Sequence, residues 1–420
     1  MFSKYKKLLV ALVIRSGVMG VQFLVSILVA LVAGPIGSGI YGIYNAWLAI
    51  FSGVAGLGAY THALRTVSVL RDTGGANIIA SYLRRLVKIV FLIVCIFGGV
   101  LTLFNQTVAS LFLGASDLGY VILFAVFSGA VTILIKIGAE SLKALNQVNT
   151  ALTLEWVVVP VLVVLTLSFA LVTEFDIQMS ALLALRTVFL FVVSLAILYV
   201  LRHVIRLLPK RKALSPPVSF TVLAPFWGSE VSIVWFMNIP YLILPYFASA
   251  AEVGIFSVAQ KLILTATSIL VVLSSLLGPK IARAYSSKNV CFVRQILFQS
   301  QLIAIGLYTP LFIIFLTIPD SLLGLFGEEF REGASMLTYM AVGQFVYVVC
   351  GLGDFTLHMI GRERLFMNIN ILTTLLLGVL CVLLGEIYGV EGIAVGFAVA
   401  IAVKQVAGYI GARICLSSET

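Results

Sequence analysis

Long apolar stretches separated by short polar ones repeat along the whole chain. They fall at about residues 9 to 32, 40 to 64, 86 to 104, 118 to 141, 152 to 173, 177 to 201, 221 to 247, 254 to 278, 295 to 318, 334 to 357, 366 to 386 and 391 to 412. A helix crosses the ~30 Å hydrocarbon core of a bilayer with ~20 residues, about the length of each run. The pattern predicts an all-α polytopic membrane protein with about 12 transmembrane helices. The first run follows Lys4, Lys6 and Lys7, as the core of a signal peptide would, but it continues from about Leu8 to Ala33. Such a core has only 7–15 residues, so this run is expected to remain as the first helix.

Composition agrees. Of 420 residues, 61% are hydrophobic and 10% are charged, against roughly 45–50% and 25% in soluble globular chains. That leaves too little charge to coat a water-facing surface. The five cysteines lie within apolar segments or at a helix end and read as small apolar residues, not as a disulfide framework.

Charge adds orientation. Cytoplasmic loops keep Lys and Arg, and with the N-terminus inside, 21 of the 27 cations fall in inner loops and tails. The outer loops then hold Arg331 alone among the cations, and ten of the 17 acids. Both termini are thus expected in the cytoplasm. The net charge of +10 is spread over every inner loop, which fits topology and not a nucleic-acid face. Its densest run, Arg202 to Lys212 before Pro216-Pro217, reads as a linker that could also touch anionic headgroups.

The two halves echo each other. Gly42-Ile43-Tyr44-Asn45-Ala46 matches Gly254-Ile255-Phe256-Ser257-Val258, and Leu111-Phe112-Leu113-Gly114 matches Gly324-Leu325-Phe326-Gly327. Leu142-Lys143-Ala144-Leu145-Asn146 matches Leu357-His358-Met359-Ile360-Gly361 in the same order and at nearly the same offset. This predicts a duplication: an N-terminal six-helix bundle over 1–203, a basic cytoplasmic linker over 204–219, and a C-terminal six-helix bundle over 220–420. Six being even, both halves enter from the same side, and a pseudo-two-fold axis along the membrane normal would relate them.

Catalytic signatures are missing: there is no GxxxxGK[ST] loop, no HExxH and no zinc spacing of Cys and His. Gly53-Val54-Ala55-Gly56-Leu57-Gly58 lies in an apolar helix without a preceding strand, so it does not read as a nucleotide site. Gly392 and Gly396 form a GxxxG pair suited to close helix packing. His62, His203 and His358 read as interfacial polar residues, not as ligands.

The informative residues are ionisable groups at membrane depth, where each costs at least ~2.5–3.5 kcal/mol and normally faces a cavity or a partner. The cations are Arg15, Lys136, Arg186, Lys261 and Lys404. They run from the inner to the outer side, as a path for an anionic group requires, and are the candidate substrate-binding set. Lys136 either pairs with Glu140 at i,i+4 or lines a cavity. Arg186, Lys261 and Lys404 have no acid three or four residues away and need a partner or cavity from another helix. The acids Glu140, Glu155, Glu230 and Asp354 are candidates for ion coupling or gating. Glu230 sits between Trp227 and Trp235 in a segment expected to be broken by Pro225, Pro240 and Pro245.

The duplicated plan, with GIYNAWL after the first turn, EVGIFSVAQKL after the seventh helix, the LFG element and LHMIGRER before the eleventh, resembles the polysaccharide-exporting flippases of the multidrug/oligosaccharidyl-lipid/polysaccharide (MOP) superfamily. The resemblance implies two six-helix bundles forming a V around a central cavity. It also implies an undecaprenyl-pyrophosphate-linked oligosaccharide as substrate, moved by alternating access from the cytoplasmic to the periplasmic leaflet of the bacterial inner membrane for O-antigen or related polysaccharide assembly. Membrane lipids surround such a protein, and a polysaccharide polymerase and a chain-length regulator are candidate partners; no nucleic acid is implied. It needs no cofactor, and a coupling ion would be H+ or Na+. Two other functions compete: a cation-drug antiporter of the same superfamily, which would need acids where the first helix carries Arg15, and a membrane glycosyltransferase or polymerase, which would need a large outer catalytic loop.

Overall fold

The computed structural model describes residues 2–73, 75–113, 116–175, 177–209 and 216–417; the side chains of residues 2–16, 18, 72, 73, 113, 116, 225, 229, 269, 271, 272, 275, 276 and 279 fall outside the description. So do the middle of the expected linker, residues 210–215, and the side chains of Lys4, Lys6, Lys7 and Arg15.

Among the described residues the chain is helical throughout. The helices are α1 (Phe2–Ala55), α2 (Ala59–Thr73), α3 (Ala76–Leu103), α4 (Asn105–Leu113), α5 (Gly119–Ala144), α6 (Val148–Leu152), α7 (Val158–Thr173) and α8 (Met179–Arg206). They continue as α9 (Phe220–Phe247), α10 (Ala250–Ala266), α11 (Ser268–Ser286), α12 (Val290–Thr317), α13 (Pro319–Gly324), α14 (Ala334–Cys350), α15 (Gly353–Met359) and α16 (Glu363–Ser417). α1 and α16 each contain two crossings, because Gly34 (φ 63, ψ −168) and Gly389 (φ 58, ψ −137) leave helical geometry inside them. Other crossings are composite: α1's second part continues into α2, α6 into α7, α10 into α11 and α14 into α15. Among the described residues nine helical spans are long and apolar enough to cross a membrane, α1 and α16 being counted once each; dividing those two at their glycines and adding α10–α11 gives one for each of the twelve apolar runs.

Three details depart from the run pattern. The glycine-rich stretch is not wholly inside a helix: α1 stops at Ala55, and Leu57 (φ 51) and Gly58 (φ 64) turn the chain into α2. A Cβ on Gly58 would collide with the backbone of Phe226 and Trp227, and the Trp227 indole donates to the Val54 carbonyl freed by the turn, at 2.9 Å. The expected break at the prolines of α9 is absent, and helix runs unbroken from Phe220 to Phe247. One proline removes a single ladder bond, which bends a membrane helix without ending it. Finally, the loop around residues 319–333 is ordered as α13 and a 3-10 segment, Glu328–Gly333.

The chain divides into two compact units, one of residues 1–33 and 40–234 and the other of residues 34–39 and 235–420. In unit 1, α5 is the central element and packs on α2, α3 and α8. Small residues let it approach: a methyl on Gly129 would strike Phe51, and one on Gly138 would strike Ile197. In unit 2, α16 packs on α14 and α15, with Gly343 against the Ala398 backbone and Gly353 against that of Tyr409. The Gly392/Gly396 pair brings the second part of α16 against Leu384 and Leu380 of its first part. Lipid is as apolar as leucine, so such helices are held by close packing and interhelical hydrogen bonds, the latter averaging about 0.6 kcal/mol each.

The outward faces are apolar. Phe91, Leu92 and Ile96 on α3, Leu165, Phe169 and Val172 on α7, and Val188, Phe191 and Leu195 on α8 are all about half exposed or more. A water-facing surface would not carry such bands. The chain is a multi-pass membrane protein.

Candidate functional site

The most elaborate polar cluster of unit 1 surrounds Arg186, in α8. Tyr41, Tyr44 and Asn45 lie on one face of the second part of α1, at i, i+3 and i+4. The Arg186 guanidinium is 5.0 Å from the ring centroids of both tyrosines and donates to Asn45 Oδ1 at 2.7 Å. The rings are themselves stacked at 6.2 Å. Tyr44 is fully buried and donates its hydroxyl to Ser128 Oγ at 2.7 Å; Ser128 is 2.8 Å from Thr187 Oγ1, next in sequence to Arg186. Three helices thus hold the arginine in place with aromatic faces and neutral hydroxyls, and among the described residues no carboxylate pairs with it. The guanidinium thus donates to a neutral amide, and its charge is neutralised by no carboxylate among the described residues.

The second cluster lies at the C-terminal end of α5. Lys143 Nζ donates to Glu140 Oε1 and to Glu155 Oε2, each at 2.8 Å. Glu155 comes from the π-helical turn Thr153–Val157 between α6 and α7 and has only 7% of its side chain exposed. A π turn inserts an extra residue into the helix and recurs at functional sites. Lys136 is not the ion-pair partner of Glu140; its ammonium lies 5.0 Å from the Tyr60 ring centroid. Lys143, one turn beyond Glu140 and within reach of Glu155, takes both acids.

Unit 2 holds Lys404 and Asp354. Lys404, 5% exposed, places its ammonium 4.3 Å from the Phe236 centroid. The next residue, Gln405, donates to Asp354 Oδ2 at 3.1 Å, while Asp354 Oδ1 accepts the Phe355 N–H at 2.7 Å. Lys261 is half-buried in α10, and its carbonyl accepts the Thr265 hydroxyl at 2.8 Å. Glu230 is half-buried in α9, and no hydrogen bond or ion pair engages it among the described residues.

The structure therefore brings the sequence candidates together in part. Lys136, Glu140 and Glu155 share one end of α5 and α6–α7; Arg186 stands in its own cluster; Lys404 and Asp354 are joined through Gln405. The expectations from sequence do not include Tyr41, Ser128, Thr187, Tyr60 or Phe236, and they count Lys143 among the 21 cations of the inner loops and tails, whereas it lies in the last turn of α5. Only the i, i+3, i+4 spacing of Tyr41, Tyr44 and Asn45 was there to be read.

The profile of the family described as "Polysaccharide biosynthesis protein" matches residues 5–284, and the MatE profile matches residues 217–383. No curated protein matches the chain by sequence. Among solved structures, it is similar to an inward-facing multidrug resistance MATE family transporter of the MOP superfamily, with TM-score 0.76 and 16% identity over 95% of this chain and 94% of that one. It is also similar to the lipid II flippase MurJ in an inward closed conformation, with TM-score 0.75 and 14% identity over 96% and 87%. A MOP superfamily transporter from Pyrococcus furiosus, described as having a binding pocket of reverse polarity that suggests a different function, matches with TM-score 0.64 and 17% identity over 97% and 96%. A family profile that covers two thirds of the sequence and a shared fold that covers nearly all of it place the chain in the polysaccharide biosynthesis protein family, with the fold of MOP superfamily transporters.

Proposed function

We propose that this chain is a flippase for an undecaprenyl-pyrophosphate-linked oligosaccharide, turning it from the cytoplasmic to the periplasmic leaflet of the bacterial inner membrane for O-antigen or related surface polysaccharide synthesis. Arg186 carries the reading. An arginine in the middle of a membrane helix, backed by two tyrosines, an amide and a hydroxyl relay and paired with no acid among the described residues, has the chemistry that a pyrophosphate-sugar requires. Guanidinium recognises phosphate, and aromatic faces with hydroxyls suit sugar. The family's description and the likeness to a lipid II flippase support the same substrate class.

In this reading Arg15, Lys136, Lys261 and Lys404 extend the cationic path through alternating access. Glu140, Glu155, Glu230 and Asp354 couple an H+ or Na+ gradient or act as gates, and both termini are cytoplasmic. The experiment is alanine substitution at Arg15, Arg186, Lys261 and Lys404, each tested by complementation of a flippase-deficient strain with protein levels matched. Arg186→Ala is expected to lower export by roughly tenfold or more, as loss of a charged hydrogen bond of ~1.5–3 kcal/mol would. Unimpaired export in all four variants overturns the proposal.

A second reading, an ion-coupled multidrug antiporter, is favoured by the MatE match over residues 217–383 and by the half-buried Glu230, which no hydrogen bond or ion pair engages among the described residues. Efflux of cationic dyes that is lost in Glu230→Gln, while polysaccharide export is untouched, would select it.

A further inference from the structure

Unit 2 contains a cavity that plays no part in the transport reading. α14 ends at Cys350, and Gly351 (φ 62, ψ −131) turns the chain aside before α15. The carbonyls of Val349 and Cys350 receive the Gln301 amide of α12, at 3.3 and 3.2 Å. The displaced chain leaves a cavity of about 470 Å³ between the first turns of α12, the break and the last turns of α16, within the range of ~300–1,000 Å³ typical of ligand sites.

Two arginines form its rim. Arg294 of α12 donates to the Leu416 carbonyl at 3.1 Å, which fixes the guanidinium across to the end of α16. Arg413 of α16 lies 5.0 Å from the Tyr409 ring centroid. Both are exposed, and among the described residues no carboxylate lines the cavity and no ion pair engages either one. Beside them Phe298 and Ile414, also lining it, are 58% and 61% exposed on helices whose outward faces are apolar. Fixed cations above an apolar lip, at the end of membrane helices, match an amphiphile with an anionic head. They match neither a sugar nor a soluble ion.

We propose that this cavity binds an anionic membrane phospholipid, its phosphate between Arg294 and Arg413 and its acyl chains along Phe298 and Ile414. The start of α12 and the end of α16 lie on the side that the Lys/Arg bias assigns to the cytoplasm, where basic pockets between helices meet anionic lipid. The inference does not depend on which solute is carried.

Native mass spectrometry of the full-length protein, released from detergent with phosphatidylglycerol or phosphatidylcholine of matched chains, tests it. The wild type is expected to retain phosphatidylglycerol preferentially. Arg413→Gln, which leaves the Arg294–Leu416 bond intact, should lower that retention about fivefold, the worth of one cation near the headgroups. R294Q/R413Q should lower it further, and R294K/R413K should keep most of it, with phosphatidylcholine adducts and lipid-free thermal unfolding unchanged for Arg413→Gln. Equal retention of the two lipids, or wild-type retention in Arg413→Gln, overturns the proposal. Displacement by millimolar inorganic phosphate also overturns it, by assigning the site to a free anion; so does retention of undecaprenyl phosphate in place of phosphatidylglycerol, by assigning it to the carried lipid.

Discussion

Lys143 holds two carboxylates at once, at 2.8 Å each, with its side chain 17% exposed. Removing a cation from such a site leaves acids buried without compensation, and this costs far more than the intact pair contributes. Lys143→Ala is therefore expected to destabilise the protein by about 3 kcal/mol, read as a lowered thermal unfolding midpoint in detergent. Lys143→Ala/Glu155→Gln should recover part of the loss, because the most buried acid is then neutral; an additive double variant would show that the three groups do not act together. The residue scale was the least legible in the sequence. That Arg186 and Lys404 lie inside helices could be read directly, but Tyr41 is 145 positions from Arg186 and Phe236 is 168 from Lys404, and no local spacing links them. Lys136 was the expected partner of Glu140 because that acid has cations on both sides, at i−4 and i+3, and Glu155, which the π turn presents, favours Lys143.

Among elements, the twelve runs were legible because a bilayer demands unbroken apolar length, a strong and local signal. The breaks within rods were not. Leu57-Gly58 and Thr267 interrupt helices in stretches that remain apolar, so hydropathy passes over them, while the prolines of α9 announce a break that the helix absorbs. Glycine function at this scale depends on what lies opposite. A Cβ on Gly254, in α10, would run into the carbonyl of Pro35, which is backbone and cannot rotate away, whereas nothing lies within 4 Å of one on Gly99 in α3. Gly254→Ala is expected to cost about 1–3 kcal/mol as an overpacked site. Gly99→Ala is expected to be neutral or to gain about 0.5–1 kcal/mol from reduced backbone entropy. Thermal unfolding of the two variants side by side measures the difference, and equal midpoints would contradict the packing at Gly254.

For the whole molecule, fold and family were legible from the apolar spacing, the repeated motifs and the inside-positive charge bias acting together, none of which needs a side-chain contact. Orientation makes its own prediction. Green fluorescent protein fused after Leu208 or Thr420 should fluoresce, and alkaline phosphatase fused after Phe175 or Ala250 should be active; the opposite pattern would reverse the topology drawn from the charges.

The division of the chain also has a temporal side. Residues 34–39 belong to the unit built otherwise from residues 235–420, and their partners at Ala250 and Gly254 lie some 210 positions downstream. At ~5–20 residues per second of synthesis, the first hairpin waits on the order of 10–40 s in the membrane before the surface it packs on exists. During that interval its Pro35 carbonyl and Gly39 backbone stand uncovered. The nascent first half is then a substrate for membrane chaperones and proteases, and a ribosome stalled before codon 250 would strand it there.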